Sequence, residues 1–144
     1  MSCGENKALP SQGVLFQRGD GASPETFNTV SRVTDSNSPD GSSNPIDVSA
    51  LEDVAKEYIP GLYDGGNVNI SGNLIPSDLQ QQGMINDRDN QTCRNFRLVL
   101  TDTPKTTITF SAFVLSFNMT AAVDGKIPFT ANLKVTGKET WSNL

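Results

Sequence analysis

Acid, base and nucleophilic catalysis are the first chemistry to look for in a sequence, and this 144-residue chain offers little of it. It contains no histidine, which removes the commonest general base and the commonest metal ligand. Serine–histidine and cysteine–histidine nucleophiles therefore cannot form within the chain. The two cysteines, Cys3 and Cys93, are too few and too far apart for a disulfide framework or a zinc knuckle, so two reduced thiols are predicted.

The acidic residues give no better catalytic site. Glu52, Asp53 and Glu57 could form a carboxylate pair, but their spacing suits a solvated helical face and nothing nearby would raise a pKa. Residues 87–90 resemble part of a calcium-binding loop, but the glycine and the terminal glutamate of such loops are missing. The tripeptide at 18–20 resembles an integrin-binding motif and is interpreted as a turn between strands. We therefore expect no enzyme activity, no metal and no cofactor.

Charge is distributed unevenly along the chain. Residues 1–90 carry a net charge of −8 and residues 91–144 carry +3, which gives the overall −5. The acidic excess is concentrated in residues 35–64. Such asymmetry favours a subunit with an acidic and a basic end that associates head to tail, although a solvated acidic loop has the same composition. No basic stripe interleaved with aromatic residues predicts recognition of nucleic acid.

The elements that would position these residues are mostly strands. Alternating apolar residues and turn signals predict strands at 14–18, 27–34, 67–74, 96–100, 106–120 and 127–137. A tight hairpin turn is predicted at Asp124–Gly125 and a further turn at 103–105. Residues 36–45 are so polar that a mobile loop is expected.

Two helical segments are predicted. A capping-box pattern at Ser49 precedes apolar residues at helical spacing up to Tyr58, which predicts one or two helical turns. A larger helix is predicted to begin with Ser77 as its cap, with Leu79 and Met84 or Ile85 facing inward and Gly83 near its end. Residues 86–91 are then a polar loop.

The strand predicted at 106–120 is apolar on both faces. Ile108 and Phe110 lie on one parity, and four further apolar residues lie on the other (Phe113, Leu115, Phe117 and Met119). A half-buried strand needs only one apolar face, so the second face must be covered by something else. This pattern indicates a partner chain and a protein that assembles.

Three stretches, taken in order, resemble one known family. They are residues 57–62 (Glu-Tyr-Ile-Pro-Gly-Leu) followed by an acidic residue, glycines and a valine; residues 110–114 (Phe-Ser-Ala-Phe-Val); and the ending 134–137 (Lys-Val-Thr-Gly). Together they resemble the major tail tube protein of long-tailed, siphovirus-type bacteriophages over residues 14–140. Ala112 stands where that family usually has glycine, and the chain stops before the C-terminal immunoglobulin-like domain that many relatives carry.

The resemblance implies a single, mainly β domain over residues 1–144, with a core at 14–140 and a long loop at 36–63. Its fold would be two packed antiparallel sheets, a β-sandwich or half-barrel, with one flanking α-helix. Six subunits would form a ring whose sheets join into a continuous barrel, and rings would stack head to tail into a tube. Viral DNA would pass through without specific binding, helped by a lumen of negative potential.

The resemblance also implies partners and a location. The partners are other copies of the chain, a tape-measure protein, a tail terminator and the tail-tip (distal tail) proteins. The protein would belong to the virion after assembly in the bacterial host cytoplasm, and no membrane insertion is expected. The residues expected at subunit and ring contacts are acidic and apolar residues of the long loop, two arginines and three apolar strand residues: Asp47, Glu57, Tyr58, Ile59, Leu62, Arg94, Arg97, Phe113, Leu115 and Phe117.

Three alternatives remain open at this point. A β-sandwich adhesin or fibre domain that binds a cell-surface glycan would need an exposed aromatic platform, for which Tyr58, Tyr63 and Trp141 are a small supply. A small hydrolase is disfavoured by the absence of histidine. A tube subunit of a contractile tail or of a type VI secretion system would share the fold and differ by binding a sheath.

Overall fold

The computed structural model describes residues 13–102, 105–121 and 125–142. These residues form nine strands and one helix, in the order β1 (Leu15–Gly19), β2 (Phe27–Thr29), β3 (Val33–Ser36), β4 (Ser42–Asp47), β5 (Tyr58–Asp64), β6 (Asn67–Asn73), α1 (Leu79–Asn90), β7 (Cys93–Val99), β8 (Thr107–Met119) and β9 (Pro128–Ser142). The predicted fold class is confirmed: the domain is mainly β, with two antiparallel sheets and one helix.

The larger sheet has seven strands in the order β2-β1-β7-β8-β9-β6-β3, and every neighbouring pair is antiparallel. Residues at two-residue spacing share one face of a strand, and on β9 the buried ones are Phe129, Ala131, Leu133 and Val135, as the alternation predicts. Matching residues of β1, β6, β7 and β8 join them in one core. The polar residues between them lie on the opposite face.

The two edges of this sheet lie close together. β2 forms one edge and β3 the other, yet only residues 30–32 connect them. Four residue steps span at most about 14 Å, so the sheet must curl until its edges nearly meet. The Val30 amide donates to the carbonyl of Phe16 in β1, and the Asn73 amide of β6 donates to the carbonyl of Arg32. The single strand predicted at 27–34 is therefore two short strands at opposite edges, and the larger sheet is a nearly closed barrel.

Helix α1 closes one end of this barrel. It is capped by Asp78 and not by Ser77: the Asp78 carboxylate accepts the amide of Gln81. The helix continues past Gly83 to Asn90, so the predicted loop at 86–91 is largely helical. Met84 is fully buried, as expected, but Leu79 is exposed and does not anchor the helix.

The predicted long loop at 36–63 instead contains most of the second sheet. Strands β4 and β5 pair with each other only, as a two-stranded ribbon with Ile46 opposite Ile59. The predicted helical turns before Tyr58 are wrong: residues 48–57 form turns, and Tyr58 begins β5. Leu51 and Val54, apolar residues of the predicted helical turns, are fully exposed, so nothing in the described part of the chain packs against them. A short helix without a packed face is unstable in water.

Strand β8 changes parity along its length. Ile108, Phe110, Ala112 and Val114 face the core, and an irregularity in the pairing with β9 between Val114 and Ser116 then turns Phe117 inward. Phe117 is only 6% exposed and stacks on Phe129 with ring centroids 5.0 Å apart. The sequence prediction that Phe117 lies on the outer face, at a subunit contact, is therefore wrong.

Several predictions concern residues beyond this description. Cys3, residues 103–104 and Asp124 lie outside the described residues. The reduced thiol of Cys3, the turn at 103–105 and the tight hairpin turn at Asp124–Gly125 therefore stay predictions. Cys93 is a free, exposed thiol at the start of β7. No helix within the described ranges is long and apolar enough to cross a membrane.

Candidate assembly surfaces

The base of the ribbon, defined as the end of β5 at Tyr63 and Asp64, is fixed to the barrel by polar contacts. The Tyr63 hydroxyl donates to the carboxylate of Glu139 on β9 at 2.9 Å, and the Lys138 ammonium lies 5.5 Å from the Tyr63 ring centroid. The hydrogen bond to Glu139 raises the pKa of Tyr63, because deprotonation would break it beside a negative charge. One aromatic residue thus joins the two sheets.

Asp64 provides a second connection at the base. Its carboxylate accepts the ammonium of Lys134 on β9 at 2.8 Å, which lowers the pKa of Asp64. Between Asp64 and β6 the chain turns through two glycines. A Cβ atom on Gly65 would lie 2.5 Å from the carbonyl oxygen of Gly137, so only glycine permits this approach of ribbon and barrel.

The ribbon beyond its base is exposed. Ile46 and Ile59 are half-exposed and pair on one face, and Tyr58 lies on the other. Leu62, beyond a pairing irregularity, is nearly fully exposed. An isolated two-stranded ribbon is marginally stable in water, and this one has apolar residues on both faces. Four of the predicted contact residues, Glu57, Tyr58, Ile59 and Leu62, therefore lie together on an uncovered element.

The ribbon tip, defined as residues 48–57, is held by a small set of local bonds. The Asp47 carboxylate accepts the amide of Ser49, which lowers the pKa of Asp47. The Ser49 hydroxyl accepts the amide of Glu57 at 2.6 Å, which joins the two ends of the tip. Leu51 and Val54 are fully exposed within this turn. The tip therefore presents two aliphatic side chains directly to solvent on a locally ordered loop.

A second uncovered apolar surface lies on the outer face of β8. Phe113 is 37% and Leu115 is 55% exposed. With Arg88 and Gln91 at the end of α1 and Lys134 on β9 they line an open depression. Cys93, the first residue of β7, pairs with Phe113, so β7 does not extend alongside the later residues of β8. The depression lies at this point. The sequence-based expectation of an apolar second face on this strand is thus met by two residues, Phe113 and Leu115, which we name the β8 patch.

The predicted contact residue Arg94 has partners within its own chain. Buried Asp87 of α1 accepts the guanidinium of Arg94 at 2.9 Å and that of Arg18 at 2.9 Å. A Cβ atom on Gly83 would lie 2.6 Å from the Arg18 guanidinium, which explains a glycine inside the helix. Sequence reasoning missed this triad, because its members are separated by up to 76 positions and only the topology brings them together.

Arg97 is also engaged within the chain. Its guanidinium donates to the side-chain oxygen of Gln17 and lies 4.4 Å from the ring centroid of Phe27. These contacts hold the edge strand β2 against the outer face of the barrel. Arg97 is half-buried, so part of its side chain still faces outward.

The sequence halves are not the ends of the molecule. Strands β1 and β6 from the acidic half pair with β7 and β9 from the basic half. The acidic end predicted from the sequence is instead the ribbon tip with Asp47, a segment that contains four acids (Asp47, Glu52, Asp53 and Glu57) and a single cation, Lys56. A two-ended charge distribution therefore arises from the projecting ribbon and not from a division of the chain into halves.

The residues weighed for chemistry have structural partners. Both carboxylates of the 87–90 segment pair with arginines, since Asp89 bonds to Arg88. The Asp53 carboxylate accepts the Ala50 amide, and Asp20 accepts two amides in the turn after β1. The predicted turn at 18–20 therefore begins only at Asp20, because Arg18 and Gly19 still belong to β1. No three cysteine, aspartate or glutamate side chains gather around a common point among the described residues.

Comparison with known proteins identifies the fold by structure. No family model matches the sequence. No curated protein matches it either. Among solved structures, the tail of an empty gene transfer agent particle, refined with C6 symmetry, matches with a TM-score of 0.75 and 12% identity, over 94% of this chain and 99% of the other.

Two further matches come from different assemblies. The SPP1 tail tube matches with a TM-score of 0.72 and 15% identity, over 93% of this chain and 78% of that one. The sheath–tube complex of an extracellular contractile injection system matches with a TM-score of 0.73 and 15% identity, over 96% and 94% of the two chains. At such low identity the matches establish the fold alone, and the fold of this chain is that of proteins found in phage tails and contractile injection systems.

Proposed function

We propose that this protein is the repeating subunit of a phage tail tube. Six copies form a ring, rings stack head to tail, and viral DNA passes through the lumen into the host. The observation that carries this proposal is the ribbon: a domain with the fold of known tail tubes projects an apolar, acidic element that its own barrel does not cover. A monomer in solution would leave this surface exposed to water, whereas a polymer covers it.

Neighbours within a ring meet at the β8 patch. Phe113 and Leu115 are exposed on the outer face of a rigid strand, so their positions are fixed before association. Fully burying one such side chain is worth roughly 1.5–3 kcal/mol, part of which offsets the ordering of the partners. Arg94 and Arg97 contribute at most their outward-facing portions to this contact.

Successive rings meet through the ribbon. Asp47, Glu57, Tyr58, Ile59 and Leu62 supply a mixed acidic and apolar surface at one end of each subunit. A contact that joins two different surfaces of the same subunit repeats without closing, and an open filament results. The length of such a filament must then be set by another component, and the proposed partner is a tape-measure protein inside the tube.

The lumen must let DNA slide. Phosphate contacts from lysine and arginine provide most nonspecific affinity for DNA, so a wall of negative potential avoids them. The net charge of −5 per subunit supports such a wall. A terminator and tail-tip proteins would close the two ends of the tube, and the completed tube would belong to a virion assembled in the bacterial cytoplasm.

We assign the subunit to a non-contractile tail. The similarity of the three stretches at 57–62, 110–114 and 134–137 to siphovirus-type tube proteins supports this assignment. Co-expression with a contractile sheath protein tests it: no sheath should bind around assembled tubes.

Negative-stain electron microscopy over a protein concentration series is the direct test of the function. Rings with a central hole, or tubes, are expected as the concentration rises. Leu115→Lys should abolish rings by placing a charge in the lateral contact, while Leu15→Lys, a similarly exposed leucine on β1, should leave them intact. Compact monomers at every concentration, even with tail-tip and tape-measure proteins added, would refute the proposal and favour a glycan-binding fibre domain.

A further inference from the structure

The ribbon is attached at one end of the barrel, and a separate apolar groove lies at the other end. Strand β6 links to the ribbon at its first residue, Asn67, through the two-glycine turn. Its other end leads into Leu74, whose amide donates to the carbonyl of Ile127 at 2.8 Å. The six residue steps between Asn67 and Asn73 separate these ends by about 20 Å along the strand.

The groove at the second end is formed between helix α1 and the last residues of β8. It is lined by Leu74, Ile85, Arg88, Phe117 and Met119, and we name it the α1–β8 groove. Four of these five residues are apolar, and Met119 at its mouth is 58% exposed. Methionine adapts its shape to an incoming apolar side chain more readily than branched residues do. The groove can therefore receive a small aliphatic group without rearrangement of the core.

One cation lines the groove and two more lie beside it. Arg88 lies in its wall, where its guanidinium donates to the carbonyl of Phe117 at 3.0 Å and pairs with Asp89. Lys126 precedes Ile127, and Arg32 is adjacent because its carbonyl accepts the Asn73 amide. Lys126 and Arg32 are exposed and form no ion pair with any residue in the described ranges. The carboxylates at the same end, Asp78, Asp87 and Asp89, are engaged by backbone amides or by arginines. The unpaired cations Lys126 and Arg32 therefore form a basic rim beside the apolar groove.

The ribbon tip has the complementary chemistry. Leu51 and Val54 are fully exposed, and Glu52, Asp53 and Glu57 flank them. Two projecting aliphatic side chains flanked by acids are complementary to an apolar groove with a basic rim, both in polarity and in charge. The ribbon is attached at the end of β6 away from the groove, and Leu51 and Val54 are fully exposed, so the two surfaces do not contact each other within one subunit.

We propose that Leu51 and Val54 of one copy occupy the α1–β8 groove of a copy in the next ring. This inference rests on the proposed function and names the receiving site for the ribbon. Complementary rims orient the approach and set a single polarity, because tip-to-tip and groove-to-groove encounters place like charges together. Every ring then ends in unfilled grooves on one side and free tips on the other, which are the sites where growth continues.

Cysteine cross-linking tests the contact directly. In a background carrying Cys3→Ser and Cys93→Ser, Leu51→Cys protein is mixed with Met119→Cys protein and oxidised during assembly. We expect a disulfide-linked dimer in the mixture and none in either protein alone. Both positions are exposed, so the substitutions leave folding unaffected. Dimers of Leu51→Cys alone would indicate tip-to-tip contact and overturn the polarity proposed here.

The outcomes separate this proposal from the function itself. Tubes that assemble without the Leu51–Met119 disulfide would overturn the docking site and leave the tube function standing. If the cysteine-free protein forms neither rings nor tubes while the unmodified protein does, the cross-linking is repeated in a background that retains Cys93. An unmodified protein that never assembles overturns the function and the docking site together.

Charge reversal gives an independent measurement. Glu52→Lys and Lys126→Glu should each raise the protein concentration needed for tubes about fivefold, which corresponds to one rim contact. The double variant should recover most of this loss and remain sensitive to salt. Asp35→Lys changes the net charge equally at an exposed carboxylate outside the tip and serves as the control. Equal effects of Asp35→Lys and Glu52→Lys, without recovery in the double variant, would overturn the proposal.

Discussion

The barrel and the ribbon of this protein are built from similar strands but differ in what covers them. In the barrel, apolar residues from five strands and α1 enclose one another, and the stacked rings of Phe16, Phe96 and Phe110 lie 5.6 and 5.9 Å apart. In the ribbon, every residue from Ser42 to Pro60 except Asp53 is exposed. Aliphatic and aromatic side chains occur in both regions, but only those of the barrel are buried.

This difference separates folding from assembly. The barrel needs no partner to bury its core, so the subunit can fold before it meets another copy. The ribbon contributes little to that fold and keeps its apolar residues available. Substitutions in the barrel core should therefore affect folding most, and substitutions at the base of the ribbon should affect it least.

The largest expected effect is on the barrel core. Phe96→Ala removes a fully buried ring that stacks on two others, and it should lower the free energy of unfolding by about 3–5 kcal/mol. Leu62→Ala in the ribbon should change it by less than about 0.5 kcal/mol, because the side chain has almost no contacts to lose. The free energies of unfolding of both variants are measured by chemical denaturation of the monomer, monitored by circular dichroism. Equal losses would contradict the division.

Closure of the barrel depends on one buried amide. Gln81 of α1 donates to the carbonyls of Ser31 and Asn73 and accepts the amide of Ile75, which holds the link between the sheet edges. Gln81→Leu leaves these backbone groups without partners and should cost about 1–3 kcal/mol of unfolding free energy. Gln82→Leu, on the exposed side of the helix, is the matched control. A loss of the same size in both variants would show that the link is held by other contacts.

The base of the ribbon should respond to Tyr63. Tyr63→Phe removes the hydrogen bond to Glu139, so amide hydrogens of β4 and β5 should exchange faster while those of β8 stay unchanged. Tyr58→Phe should alter neither set. Unchanged exchange in the Tyr63 variant would mean that the bond to Glu139 does not hold the ribbon.

The same bond sets a pH dependence at high pH. The folded pKa of Tyr63 is raised above the ordinary 10.0, so its contribution is fully present below that value and is lost as the pH rises through the folded pKa. Absorbance at 295 nm should show Tyr63 ionising above the ordinary value of 10.0. Glu139→Gln should lower the titration midpoint of Tyr63 toward that ordinary value.

The smallest effect is expected at Asp64. Its pKa is lowered from 3.8 mainly by the bond from Lys134, so the stabilisation is present above 3.8 and is lost as the pH falls through the folded value. Lys134→Met should raise the pKa of Asp64 toward its ordinary value, as measured by carbon NMR of the carboxyl group. Asp47, whose pKa is lowered by Ser49 instead, should titrate as before.

The barrel was more predictable from the sequence than the ribbon was. Alternation on β6 and β9 identified Val68, Ile70, Phe129 and Leu133 as core residues, because burial on one face imposes a period of two. The same rule failed at Phe117, where a pairing irregularity shifts the parity and leaves no mark in the sequence. The start of the helix was predicted one residue too early, with Ser77 as the cap instead of Asp78. Its end was also predicted too early, because Gly83 resembles a helix stop but accommodates Arg18.

The candidate contact surfaces were predictable only in part. Residues 57–62 were singled out by the resemblance to a known family, and the pair Phe113 and Leu115 by the apolar second face of their strand. The structure places both sets on its surface. The α1–β8 groove was not found, since its five residues come from three segments that meet only after folding. Local pattern also misled at Leu51 and Val54, whose helical spacing was unrelated to any packed face.

The short link at residues 30–32 has a mechanical consequence. By joining both edges of the sheet it makes each barrel a nearly closed shell, which resists shear because three residues hold the two edge strands close together. Deformation in a stacked tube would then concentrate in the slender ribbons between rings. A tail built from such units would bend at the contacts between rings and not within them. The diameter of its lumen would then stay constant while its axis curves.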